Sequence, residues 1–123
     1  MDEALIKKIK PHSLEAEQSV IGSMIMDQDA IVAASEIITK DDFYQLQYGV
    51  LFEAMVELNK EGKNVDTVTL QAKLKEKDCP EEYSSVEFLK NLVIAVPTSA
   101  NVKSYAQIVK EKSLSRRLSW ARK

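Results

Sequence analysis

The stretch PHSLEAEQSVIG, Pro11 to Gly22, reads as the opening of an amphipathic helix, with one residue that does not suit it. With Leu14 set at zero and about 100° per residue, Val20, Ile21, Met24 and Ile25 share a stripe with Leu14. Glu17 falls near the middle of that stripe. Ser13 is placed to cap the helix, and Glu15 and Glu17 in the first turn suit the positive end of its dipole. A buried carboxylate without a partner is strongly destabilising. Glu17 is therefore expected to be a structural polar anchor. It can accept free backbone amides, or tie the segment around His12 or a neighbouring helix by a charge-assisted bond. Gly22 inside the helix predicts close approach of a neighbouring helix.

Working outward, the periodicity predicts six helices. The first runs from about Leu14 to Met26. The second follows Asp27-Gln28-Asp29, with Asp29 as cap and Ile31, Ala34, Ile37 and Ile38 facing inward. Thr39 to Tyr44 break the pattern, with Phe43 and Tyr44 anchoring a turn to the core. The third spans about Gln47 to Lys60, with Tyr48, Leu51, Phe52, Met55 and Leu58 on its stripe and Gly62 ending it. The β-branched run NVDTVTL resembles a strand but has no partner run, so it reads as an extended lead into a fourth helix from about Thr69 to Lys77. Asp78 to Tyr83 read as a loop. Ser84 and Glu87 have the spacing of a capping box for a fifth helix, which Pro97 stops. The sixth begins near Asn101. Val102, Tyr105, Ala106 and Val109 share its first stripe, whereas Ile108, Leu114 and Leu118 point elsewhere. Such a helix is expected to dock with its first half and project with its second, which makes those three residues the candidate interface.

The chain has 123 residues, of which 45% are hydrophobic, with only three Gly and three Pro. That suits a single all-α domain with one core. The net charge of −2 gives the chain as a whole no attraction to nucleic acid or anionic lipid. Local positive charge gathers at Arg116, Arg117, Arg122 and Lys123. The single cysteine, Cys79, excludes an internal disulfide or zinc cluster and fits a reducing cytoplasm. The run Leu92 to Val96 is too short to span a bilayer, and the N-terminus lacks the apolar run of a signal peptide.

Motifs for chemistry are missing. There is no phosphate-binding loop, dinucleotide fingerprint, HExxH or CxxC. His12, the only histidine, has no nucleophile beside it except Ser13, and a role at the start of the first helix is expected. Asp27, Asp29, Asp41 and Asp42 lack the spacing of a calcium loop and read as helix caps. The aromatics Phe43, Tyr44, Tyr48, Phe52, Phe88 and Tyr105 fall mostly on apolar stripes rather than among basic residues, which disfavours a single-strand platform. No catalytic, cofactor-binding or metal residue is assigned. From the residues alone, the chain is a helical interaction domain.

PHSLEAEQSVIGSMIMD, then DDFY, VDTVTL and VPTSANVKSYAQIVKEKSLSRRL, in that order, resemble the N-terminal domain of the bacterial replicative DNA helicase, the DnaB family. The likeness runs from about Pro11 to Leu118. It implies a compact bundle of about six helices, the last a longer helix leading into a helical hairpin cut short at Lys123. It divides the chain into an N-terminal arm (1–12), a globular head (13–100) and the start of the dimerisation helix (101–123). It also implies a collar domain that acts in DNA replication. Such a domain dimerises within a hexamer and docks the primase C-terminal domain and, in some species, the helicase loader. ATP and Mg belong to a downstream motor, so this chain alone would be no enzyme and would bind nucleic acid little. Tyr48 stands where family members often carry His, and SWARK is an unusual ending. The alternative is a free-standing helical adaptor built on the same domain; a small hydrolase with an unrecognised site is a third reading.

Overall fold

The computed structural model describes residues 10–121, with side chains described as far as Leu118. Most of the N-terminal arm, the side chains of SWARK and the cations Arg122 and Lys123 lie outside the described residues. Within them the chain is all-helical: α1 (Leu14–Met26), α2 (Gln28–Ser35), α3 (Leu46–Lys60), α4 (Thr67–Glu76), α5 (Glu81–Ser84), α6 (Val86–Ile94) and α7 (Val102–Ala121). Two 3-10 turns, Lys40–Asp42 and Ser99–Asn101, precede α3 and α7. The seventh helix, beyond the six expected, is the single turn α5, where the loop was expected. NVDTVTL is not a strand. Val65 is buried, and Asp66 caps α4 by accepting the Val68 and Thr69 amides at 2.9 and 2.8 Å.

Helix α1 is the central element, packed on α2, α3, α6 and α7. Ser13 Oγ accepts the Ala16 amide at 3.2 Å, as an N-cap should. Val20, Ile21 and Met24 are fully buried, but Leu14 is 40% exposed, so the inward stripe starts at Ala16 and Glu17. Gly22 makes the expected close approach. A Cβ there would run into the Leu92 carbonyl oxygen of α6 and stand 2.8 Å from Val96 Cγ2. The obstacle is backbone and cannot swing aside. Gly22→Ala is expected to lose about 1–3 kcal/mol to overpacking, measured by urea unfolding, despite the better helix propensity of Ala.

Two caps sit one or two residues from their expected places. Asp27, not Asp29, caps α2 by accepting the Asp29 amide at 2.9 Å. Ser85, not Ser84, caps α6 through the Phe88 amide at 3.1 Å, and Ser84 is buried at the end of α5. The expected box with Glu87 is therefore not formed. Gly62, at φ +74°, ends α3 as expected. A ladder of ion pairs zips α3 to α4. Lys77 Nζ reaches Glu57 at 2.9 Å and Glu53 at 3.3 Å, and Lys73 Nζ reaches Glu61 at 2.9 Å. These pairs are exposed enough to be screened by salt, and they set the α3–α4 register more than they add stability.

Candidate functional site

The last helix begins where Pro97 has ended α6. Thr98 Oγ1 accepts the Ala100 amide at 3.2 Å, and the 3-10 turn feeds directly into α7. Val102, Ala106 and Val109 are buried in the common core, with Tyr105 half-buried beside them. Ile108, Leu114 and Leu118 are exposed by 38%, 45% and 64%. Leu114 and Leu118 are four residues apart and lie one above the other on one flank. Ile108 lies about 120° round the helix from Leu114, on the other flank. The structure thus brings together only two of the three candidate interface residues.

The expectation that the second half projects freely needs correction. The inward face continues past Val109, but it becomes polar: Ser113 is buried, and Arg116 and Arg117 follow at helical spacing. Their counterpart is Asp42, whose side chain is completely buried. Asp42 Oδ1 accepts the Ser113 hydroxyl at 2.7 Å and Arg117 Nη2 at 3.0 Å. Oδ2 accepts the Thr39 amide at 2.8 Å and pairs with Lys110 Nζ at 3.6 Å. Burial alone pushes the Asp42 pKa up. The Ser113 hydroxyl, the Thr39 amide, Lys110 and Arg117 together outweigh it and hold the carboxyl below its ordinary value. Asp42 does cap its own turn, as expected, but that is the smaller part of its work. A signal for the rest existed in Ser113, Arg116 and Arg117, polar residues continuing an apolar stripe.

Glu17 is 1% exposed and accepts the Tyr44 amide at 2.8 Å and the Gln45 amide at 3.1 Å, one on each carboxylate oxygen. Both amides belong to the segment that leads into α3, whose N-cap position, Gln45, supplies no side-chain cap. The carboxylate of α1 therefore serves the start of α3, not the amides of its own helix. Phe43 is buried, but Tyr44 is 42% exposed, contrary to expectation. Its ring stacks on His12 at 3.9 Å with a 6° interplanar angle. His12 Nδ1 donates to the Lys10 carbonyl at 2.7 Å. On the α3 stripe, the Tyr48 hydroxyl accepts from Gln18 Nε2 at 2.9 Å.

A shallow cleft between α2 and α3, floored by Ile38, Phe52 and Val56, has Glu53 and Glu57 on its rim. Lys40 hydrogen-bonds Glu53 and, with Lys77, holds it below the ordinary carboxylate range, which suits no general acid at neutral pH. Burial pushes the Cys79 thiol up, away from a reactive thiolate. Among the described residues, no His, Cys, Asp or Glu cluster could hold a metal ion, and no helix is long and apolar enough to cross a membrane.

Residues 9–111 match the family described as DnaB-like helicase N terminal domain. The chain is 45% identical over 118 residues to the replicative DNA helicase DnaB of Geobacillus stearothermophilus, covering 96% of this chain and 26% of that protein. It is 38% identical over 118 residues to the replicative DNA helicase DnaC of Bacillus subtilis (strain 168), again covering 96% and 26%. The chain spans about a quarter of the length of the curated relatives it matches. The crystal structure of the N-terminal domain of DnaB helicase from Mycobacterium tuberculosis matches with a TM-score of 0.88 at 37% identity, over 92% of this chain and 78% of that one. The N-terminal domain of DnaB helicase from Helicobacter pylori, whose structure was described with its interactions with primase, shares the fold. There the TM-score is 0.75 at 21% identity, over 98% of this chain and 92% of that one. The order of the helices, the matched span and these relatives agree: the chain belongs to the DnaB-like helicase N-terminal domain family.

Proposed function

We propose that this chain is the N-terminal collar domain of a replicative DNA helicase, an oligomerisation and docking module whose ATP-driven motor, with its Mg, lies downstream of Lys123. Its partners are a second copy of itself within a hexamer, the primase C-terminal domain and a helicase loader. Its place is the cytoplasm, with little direct contact to nucleic acid. Family membership supports the reading, and one observation carries it: Leu114 and Leu118 form an exposed apolar pair on a helix held firmly to the head. Apolar neighbours on one element commonly mark an interface, and symmetric self-association is the commonest way to cover them. Primase is a partner by analogy with the Helicobacter pylori domain. The coding sequence after Lys123 separates this reading from a free-standing adaptor, which would carry no phosphate-binding loop there.

The test is sedimentation equilibrium of the chain alone and of the chain extended by its downstream hairpin. The short chain is expected to be monomeric when dilute. The extended one is expected to dimerise and to bind the primase C-terminal domain in titration calorimetry. Leu114→Glu is expected to weaken both at least about tenfold, roughly 1.4 kcal/mol. Leu114 is solvated, so the thermal midpoint of the short chain should shift by no more than about 2 °C. Unfolding of the short chain by this substitution would instead place Leu114 in the core.

A further inference from the structure

The Arg116 guanidinium holds two chain segments at once. Nη2 donates to the Asp42 carbonyl at 2.7 Å and Nη1 to the Pro11 carbonyl at 2.8 Å. Its Cζ also sits 5.6 Å from the centroid of the Tyr44 ring, on which His12 stacks. Glu17 fixes the Tyr44 amide from below. The contacts close a circuit that runs from α7 to Asp42, along the chain to Tyr44, across the stack to His12, and through Pro11 back to α7. Beyond Val109 no described apolar residue of α7 is buried, so this circuit and the Asp42 carboxylate hold the distal turns. A planar fork satisfies two carbonyls only while both stay in place.

We propose that Pro11–His12 is a strap that holds the distal half of α7 on the head. The strap couples the chain ahead of α1 to the flank that carries Leu114 and Leu118. A partner that draws Pro11–His12 away frees the distal turns. By reciprocity, a partner that lifts the distal turns frees the strap. The strap is a property of this chain and stands whether or not the helicase reading does.

Amide hydrogen exchange on the whole 123-residue chain tests it. In the wild type, the amides of Leu114–Leu118 should be protected. The double change Pro11→Gly/His12→Gly should speed their exchange about tenfold, and leave the amides of Val20–Met24 and Val102–Val109 within about twofold. Arg116→Ala should do the same. Combining it with the strap change should add little, because both break one circuit. Distal amides unmoved by the strap change, effects that multiply in the combined variant, or a wild type unprotected beyond Val109 would each overturn the proposal. Should core amides accelerate too, the milder Arg116→Lys, which can reach only one carbonyl, decides. Faster exchange of the Leu114–Leu118 amides in that variant upholds the strap, and unchanged exchange overturns it.

Discussion

Asp42→Ala is expected to destabilise the chain by about 2–4 kcal/mol in urea unfolding, with Asp42→Asn showing part of that loss. The carboxylate lies wholly inside, and donors from its own turn and from α7 converge on it. Removal leaves the buried Ser113 hydroxyl and the Thr39 amide without their acceptor. Arg117 is half-exposed and can turn to water, so its share is discounted. The cost falls on the orphaned Ser113 hydroxyl more than on any single ion pair.

The same residue gives the stability curve a predictable slope. Its folded pKa lies below the unfolded one, so the unfolded chain binds the proton first as pH falls. The contribution of Asp42 is full above the unfolded value of about 4 and is lost as pH drops through the lower folded value. The stability gap between wild type and Asp42→Ala should therefore be flat from about pH 5 to 7 and narrow below about pH 4. A gap that widened in acid would reverse the sign of the assigned interactions.

Glu17→Leu is expected to cost about 1–3 kcal/mol, even though it places an apolar residue on an apolar stripe. The side chain added is favourable in transfer terms. Against it stand the Tyr44 and Gln45 amides, each of which loses a charged acceptor. An amide side chain at this position would keep one carbonyl for two backbone donors, so Glu17→Gln should fall between. A neutral or stabilising Glu17→Leu would show that water replaces the carboxylate at the start of α3.

The helices themselves are legible in the sequence because their determinants are close together along the chain. Ser13, the stripe from Val20 to Ile25, Gly62 and Pro97 each act within a few residues of the boundary they set. Misplaced caps arise where two residues of the same chemistry stand one or two positions apart. Asp27 and Asp29, or Ser84 and Ser85, have equal local preference, and the packing of the following helix chooses between them. Glu17 is visible as an anomaly in the pattern, yet its partners, 27 and 28 residues on, are not.

Asp42 shows what only the tertiary structure decided. Read locally it is a capping aspartate, and one of its oxygens does accept the Thr39 amide. Its other oxygen meets Ser113 and Arg117, 71 and 75 residues away, where periodicity carries no information about which cation will find which carboxylate. The apolar stripe of the last helix, which follows from its 3.6-residue period, stops at Val109. That the helix nevertheless stays on the head for two further turns depends on hydrogen bonds. Hydrogen bonds are directional and short-ranged, so only the folded arrangement brings their partners together.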